Sequence, residues 1–152
     1  MQRAYYKSPL GWVKIEAGGN KITCIDFVSK PRRNVTKSLV LKKVFHQMEE
    51  YFNGRCRKFT FKLSFNGTAF QKKVWGDLQK IDFGKTVSYQ ELASRIGRPK
   101  AVRAAATAIG RNPAAIVVPC HRVIASSGAV GGYAGGVWRK QWLLKHEKEP
   151  KK

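Results

Sequence analysis

Ser88-Tyr89-Gln90-Glu91-Leu92-Ala93-Ser94-Arg95-Ile96-Gly97-Arg98-Pro99-Lys100-Ala101-Val102-Arg103-Ala104-Ala105-Ala106-Thr107-Ala108-Ile109-Gly110 carries two helices and the turn between them. Ser88 and Glu91 stand three apart, the spacing at which a serine hydroxyl and a glutamate carboxylate satisfy each other's backbone N–H groups, so a helix starts at Tyr89 and runs to Ile96. Gly97-Arg98-Pro99 ends it, and a second helix follows over Lys100 to Ile109, with Gly110 as its stop. Val102, Ala105, Ala106 and Ile109 form the inner face of that second helix. Arg103 points the other way, beside the small residues Ala104 and Thr107. Two helices joined by a tight glycine-containing turn make a helix-turn-helix pattern, which alone also fits many helical hairpins.

Working outward, Thr68 caps an upstream helix with the apolar stripe Phe70, Val74, Leu78 and Ile81. Before Asn66-Gly67 the period changes. Gly11 to Ala17 and Lys21 to Val28 read as strands around Gly18-Gly19-Asn20, a hairpin signal. Leu41, Val44, Phe45, Met48 and Phe52 recur at helical spacing until Asn53-Gly54 stops them, and a short strand is expected around Phe59 to Leu63. Downstream, Ala114 to Val118 is a short apolar run, expected as a buried strand leading into Pro119-Cys120-His121-Arg122-Val123. A glycine-rich loop, Gly128 to Gly136, precedes a last helix from Val137 to about Glu147. There are no internal repeats. The fold class is α+β, with a small N-terminal α/β unit over 1–66 and a helix-turn-helix domain over 67–152.

Composition narrows the partner. The chain of 152 residues has 30 Lys and Arg against 9 Asp and Glu, a net charge of +21. Ion-pair networks of the thermophilic kind would need matching acids, which are missing. A polyanion explains the surplus, nucleic acid being the commonest, while a solvated basic surface is the plain alternative. Residues 1–65 carry 14 basic and 4 acidic side chains, and residues 66–152 carry 16 and 5, so both parts sense a phosphate backbone. Three cysteines without a CxxC pair argue against a disulfide scaffold and for a reducing, intracellular setting. The N-terminus lacks the apolar stretch of a secretory signal, and no segment approaches the ~20 apolar residues needed to span a bilayer. Disorder is expected only at the basic end, Lys148 to Lys152.

Cys120 is the candidate nucleophile. A thiol reacts well once a cationic or proton-accepting neighbour lowers its pKa, and His121 and Arg122 are such neighbours along the chain. An isolated Cys-His pair is also compatible with a buried, inert cysteine. Arg103 on its alanine-rich helix fits either a groove-facing residue or an ordinary solvated one. His121 and Glu147 could act as a base and its orienter, although their spacing does not show that they meet.

Taken with its flanks, Pro119-Cys120-His121-Arg122-Val123 resembles the active-site signature of the O6-alkylguanine-DNA alkyltransferases. In order and at matching intervals stand Phe83 to Ala93, Ala101-Val102-Arg103-Ala104, Arg111-Asn112-Pro113, Ser127 to Tyr133, and Leu143-Leu144-Lys145-His146-Glu147. The likeness covers roughly residues 67 to 147. It implies an RNase H-like N-terminal core, a winged helix-turn-helix C-terminal domain, and single-use transfer of an alkyl group from O6 of guanine to Cys120. It further implies that His121 takes the thiol proton through a water, with Glu147 holding the imidazole. Tyr89 would donate to guanine N3, and Asn112 would brace the turn at the active site. Arg103 would fill the gap left by the flipped base, with Ala101, Ala104, Thr107, Arg111 and Arg122 along the DNA. Tyr133 and Ala134 would line the substrate site, and the carbonyls of Cys120 and Val123 would read the guanine amino group. The implied partner is double-stranded DNA, bound through its minor groove without sequence preference by a monomer in the cytoplasm, or in the nucleus of a eukaryote. No cofactor is implied.

Two departures stand out. Ala134 replaces a polar residue of several relatives, which leaves only its backbone N–H for the base oxygen. Cys24, Cys56 and His46 do not make the zinc ligand set that some relatives carry, and no metal is expected. The alternative is a lesion-binding protein without transfer, although such relatives lack the acceptor cysteine that is kept here. A Cys–His hydrolase would need an oxyanion hole and would not need a helix-turn-helix. A sequence-specific regulator would need more base-reading side chains than this helix offers.

Overall fold

The computed structural model describes residues 2–33 and 38–148; the basic end beyond Lys148 lies outside them. Two compact units emerge. The first comprises residues up to Phe65 together with Pro113–Ala115, and the second comprises Asn66–Asn112 and the residues from Ile116 onward.

In the first unit, strands β1 (Gln2–Ser8), β2 (Gly11–Gly18) and β3 (Lys21–Val28) form an antiparallel sheet in that order. The β2–β3 hairpin is the expected one, and Gly19 takes φ 61° at its turn. Strand β1 was not expected, because Tyr5-Tyr6-Lys7 lacks a clean alternation. The strand is held by its pairing with β2 from Gln2 opposite Ala17 to Ser8 opposite Gly11, with Ala4 and Tyr5 both buried, and Ser8 closes the turn by donating to the Gly11 carbonyl at 2.7 Å. Val13, Ile15 and Ala17 project from one face of β2 and are fully buried. Helix α1 (Leu39–Phe52), capped by Ser38, packs Leu41, Val44, Met48 and Tyr51 against the sheet.

Residues 59–63 do not form the expected strand. Only Leu63 makes a bridge, parallel to Ile22, although the outward and inward alternation that suggested a strand is present.

The second unit begins with Thr68, whose reciprocal bonds with Gln71 cap α2 (Ala69–Leu78). Strand β4 (Val87–Ser88) runs straight into α3 (Tyr89–Arg95), where Ser88 and Glu91 form the expected capping box. Gly97 turns the chain at φ 76° into α4 (Val102–Gly110). The buried face of α4 is Ala105, Ala108 and Ile109, so Ala108 takes the place assigned to Ala106. Trp75 of α2 enforces this by donating its indole N–H to the Ala108 carbonyl at 2.9 Å. Gly110 is the last helical residue rather than a left-handed stop, and Arg111 caps the helix.

The run Ala114 to Val118 is a turn, not a strand. Ile116 sits at φ 73°, a left-handed conformation that costs a β-branched residue on the order of 1–3 kcal/mol. A 3-10 turn (Cys120–Arg122) follows, then β5 (Val123–Ile124), which pairs in parallel with β4, and finally α5 (Val137–Lys148).

Candidate active site

The site lies wholly within the second unit. The β4–β5 pair fixes it, because Ser88, the last residue of β4, precedes Tyr89, and Val123, the first residue of β5, follows the Cys120–Arg122 turn. Two short strands thus bring the start of α3 beside the thiol.

Cys120 is buried, with 8% of its surface exposed. Burial pushes its thiol pKa up. Polar contacts from Asn112 and Tyr133 and the charge of Lys140 oppose this without cancelling it. The expectation of a thiol acidified by His121 and Arg122 is therefore corrected. Neither side chain is among the groups that lower it, and the resting form is the thiol.

His121 is fully buried, and its Nε2 lies 2.8 Å from Glu147 Oε2. Arg122 donates from Nε to Glu147 Oε1 at 2.8 Å, from Nη2 to Oε2 at 3.0 Å, and from Nη1 to the Ile81 carbonyl at 2.6 Å. Burial works against ionisation of Glu147, but hydrogen bonds and charge from His121 and Arg122 outweigh it. The carboxyl is held well below its usual range. Burial likewise lowers the His121 pKa and keeps the imidazole neutral. A neutral imidazole beside a carboxylate carries its proton on Nε2, which leaves the lone pair on Nδ1. That Nδ1 is buried and has no hydrogen-bond partner among the described residues.

His121 and Glu147, which sequence spacing could not join, are thus in contact. Arg122, expected on the DNA, is instead 6% exposed and committed to Glu147 and Ile81. The reason is electrostatic: a buried carboxylate beside a neutral histidine needs a cation.

Lys140 was missed by the sequence reading. It lies on α5, is fully buried, and donates to the Gly132 carbonyl at 3.1 Å and the Tyr89 hydroxyl at 3.4 Å. Burial lowers its pKa to about 8, against a smaller upward effect of Cys120. A lysine in a helix stripe gives no sign of such burial; the neighbouring glycines were the only clue. Gly131, at φ 79°, is one of them. A Cβ there would meet the Tyr89 hydroxyl at 3.0 Å and Lys140 Nζ at 3.4 Å, so the loop comes this close only as glycine. Burial also raises the Tyr89 pKa, with a further push from Cys120.

Asn112 Nδ2 donates to the Val118 carbonyl at 2.7 Å, holding the turn that leads to Pro119 and Cys120. Tyr133 is half-buried and in contact with the thiol, while Ala134 on the same loop is exposed. Val123 is buried, and its N–H donates to the Cys120 carbonyl. On α4, Arg103, Ala104, Thr107 and Arg111 face solvent, and Ala101 at its cap is half-buried. This face is free for a partner and carries no acid.

Residues 69–149 match the family model described as the 6-O-methylguanine DNA methyltransferase DNA-binding domain, and residues 1–65 match its ribonuclease-like domain. The chain belongs to this family. Among its methyltransferase relatives is the methylated-DNA–protein-cysteine methyltransferase of Haemophilus influenzae, 42% identical over 96% of this chain and 86% of that one. The relative of the same name from Methanosarcina acetivorans is 41% identical over 97% and 98%. The crystal structure of Mycobacterium tuberculosis OGT in complex with DNA superposes with a TM-score of 0.90 at 38% identity, covering 97% of this chain and 93% of that one. The methyltransferase fold, a ribonuclease-like part followed by a DNA-binding part, accounts for the mixed helix and sheet content.

Among the described residues no three His, Cys, Asp or Glu side chains cluster in a metal-binding arrangement. No helix among them is long and apolar enough to cross a membrane.

Proposed function

We propose that the protein repairs duplex DNA by transferring a methyl or other alkyl group from O6 of guanine to Sγ of Cys120, once per molecule. The observation that carries this reading is a buried thiol followed in the chain by a buried histidine whose Nε2 is anchored on a carboxylate and whose Nδ1 has no hydrogen-bond partner among the described residues. The thiol proton passes to Nδ1 through a water, the S–C bond forms, and the C–O6 bond breaks. Glu147 orients the imidazole and stabilises its charged form, and Arg122 holds Glu147.

The departing guanine gains negative charge. Because Lys140 Nζ donates to the Tyr89 oxygen, the phenol's own hydrogen is left to donate to guanine N3, with the ammonium steadying both the phenol and the thiolate. Asn112 braces the acceptor turn. Tyr133, the backbone of Ala134, and the carbonyls of Cys120 and Val123 line the base site. The resulting thioether has no leaving group that returns the thiol, so the protein is consumed.

The reacting carbon is hidden in the base stack, and extruding the nucleotide costs a few kcal/mol. Arg103 offsets this by occupying the gap, from an α4 face lying in the minor groove with Ala101, Ala104, Thr107 and Arg111. A groove read by shape suits a lesion that occurs beside any base. The chemistry resides in the domain beginning near residue 67, one chain carries all of it, and a monomer suffices. The substrate places the protein in the cytoplasm, or in the nucleus of a eukaryote.

Incubation with an O6-methylguanine oligonucleotide, followed by intact-mass measurement and peptide mapping, tests the reading. Product saturates at or below one equivalent, and the methyl lies on the peptide holding Pro119-Cys120-His121. Cys120→Ser abolishes transfer and keeps DNA binding. Repeated turnover, or a label on Cys24 or Cys56, overturns it. Binding without any transfer returns the lesion-recognition alternative.

A further inference from the structure

We infer that the first unit carries its own phosphate-binding surface, formed by Lys43 of α1 with Lys58 and Lys62 of the extended segment that follows it, and that its partner is the backbone of duplex DNA away from the lesion. The inference rests on the reading of the protein as a DNA-acting one.

Residues 58–64 alternate strictly. Lys58, Thr60, Lys62 and Ser64 are exposed, whereas Phe59 and Leu63 are half-buried and Phe61 is buried. The alternation is held from both sides. Ile22 donates its N–H to the Lys62 carbonyl at 2.8 Å, and Ser64 donates to the Ile22 carbonyl at 2.9 Å. Gln47 of α1 grips Thr60 twice, donating to its hydroxyl at 2.6 Å and accepting its N–H at 3.0 Å. The ring of Tyr51, one turn further along α1, lies 5.5 Å from that of Phe59. The helix and the segment therefore run in opposite directions, and Lys43, one turn before Gln47, falls at the Lys62 end.

The segment is thus fixed with its cations outward and its aromatic rings inward. Lys58 and Lys62 are four residues apart, about 13 Å in extended chain. That matches about four phosphates of one strand along the duplex axis. No ion pair to any of the three lysines occurs among the described residues; the nearby Glu50 is taken by Arg55 at 2.8 Å. Three uncompensated cations around a hydroxyl and an amide, on a rigid backbone, suit repeated phosphates. A surface selected for solubility alone needs neither the alternation nor the lack of acids.

The test is a triple variant, Lys43→Gln with Lys58→Gln and Lys62→Gln, bound to an undamaged duplex over a salt series. A control variant, Lys7→Gln with Lys30→Gln and Arg33→Gln, removes equal charge from exposed positions of the same unit outside this segment. Each phosphate contact contributes about 0.9 to the log–log salt slope. The triple variant should lose about 2.7 of slope, so a fourfold rise in salt costs the parent roughly 40-fold more affinity than the variant. The control should lose clearly less. Equal losses in both variants, or a loss below about 1 in the triple variant, would overturn the inference. Methyl transfer from free O6-methylguanine should be unchanged in both variants, since none of these residues lies in the transfer site. Absence of transfer in the unaltered protein would instead remove the reading on which the inference rests.

Discussion

Glu147→Gln is the perturbation with the most to reveal, because one carboxylate serves two neighbours of different charge. The side chain is 2% exposed and accepts from His121 Nε2, Arg122 Nε and Arg122 Nη2. Glutamine keeps the shape and can still accept from the imidazole, but it leaves the Arg122 guanidinium buried without a counter-ion. Removing one partner of a buried pair costs about 3–5 kcal/mol. For a chain of this length that lowers Tm by about 6–20 °C. Arg122→Met combined with Glu147→Gln removes both charges, so the double variant should be more stable than Glu147→Gln alone.

The pH dependence follows from the same carboxylate. Its folded pKa is depressed, so its stabilising contribution is complete above the ordinary unfolded value near 4.3 and is lost as pH falls through the lower folded value. The gap between parent and Glu147→Gln should be flat from pH 5 to 8 and close below about pH 4. Thermal unfolding by circular dichroism across this range is the assay. A loss under about 1 kcal/mol, or a double variant whose losses simply add, would refute the view that Arg122 is a buried counter-charge.

Arg103→Ala should leave the fold intact, since the side chain is exposed, and slow transfer from duplex DNA at least tenfold more than transfer from the free base; equal slowing would assign Arg103 another role. Lys140→Met should slow transfer by about 10- to 100-fold near neutrality. The ammonium is present below its pKa of about 8 and lost above it, so the rate in the unaltered protein should fall through that pH, a step the variant's pH–rate profile lacks. Iodoacetamide should label Cys120 in the native protein more slowly than a free cysteine at pH 7.5, because its pKa is raised; rapid labelling would restore the acidified thiol.

The parts of the fold written in local chemistry were legible. Ser88 with Glu91, Thr68 with the apolar stripe after it, and Asn53-Gly54 after Phe52 each declare a boundary through backbone bonds made within four residues. What escaped depends on distant partners. Strand β1 shows no alternation and is defined by its pairing with β2, and residues 59–63 keep a strand's alternation while gaining only the one bridge to Ile22. Ala114 to Val118 read as a strand from its apolar content, but the positive φ of Ile116 and the Asn112 bond to Val118 bend it into a turn. In the site, Cys120, His121, Glu147, Tyr89 and Asn112 were all singled out, while Arg122 was placed on the wrong side of the protein surface. Its place along the DNA came from the resemblance alone, since no residue near it in sequence signals an inward turn. Only the Glu147 carboxylate, 25 residues away in sequence, explains why this one turns inward.

The buried thiol and the buried lysine fit together once single use is taken seriously. A permanently acidified cysteine would react with any small electrophile it met, and each such event would end the molecule's useful life. Burial that raises the thiol pKa keeps Cys120 inert in the free protein. The means of activation are already in place: a neutral His121 ready to take a proton and a lysine near its own titration point beside Tyr89. A docked base would exclude water and strengthen each of these interactions. Thiolate formation would then follow loading of the substrate, which is the order a protein that reacts only once requires.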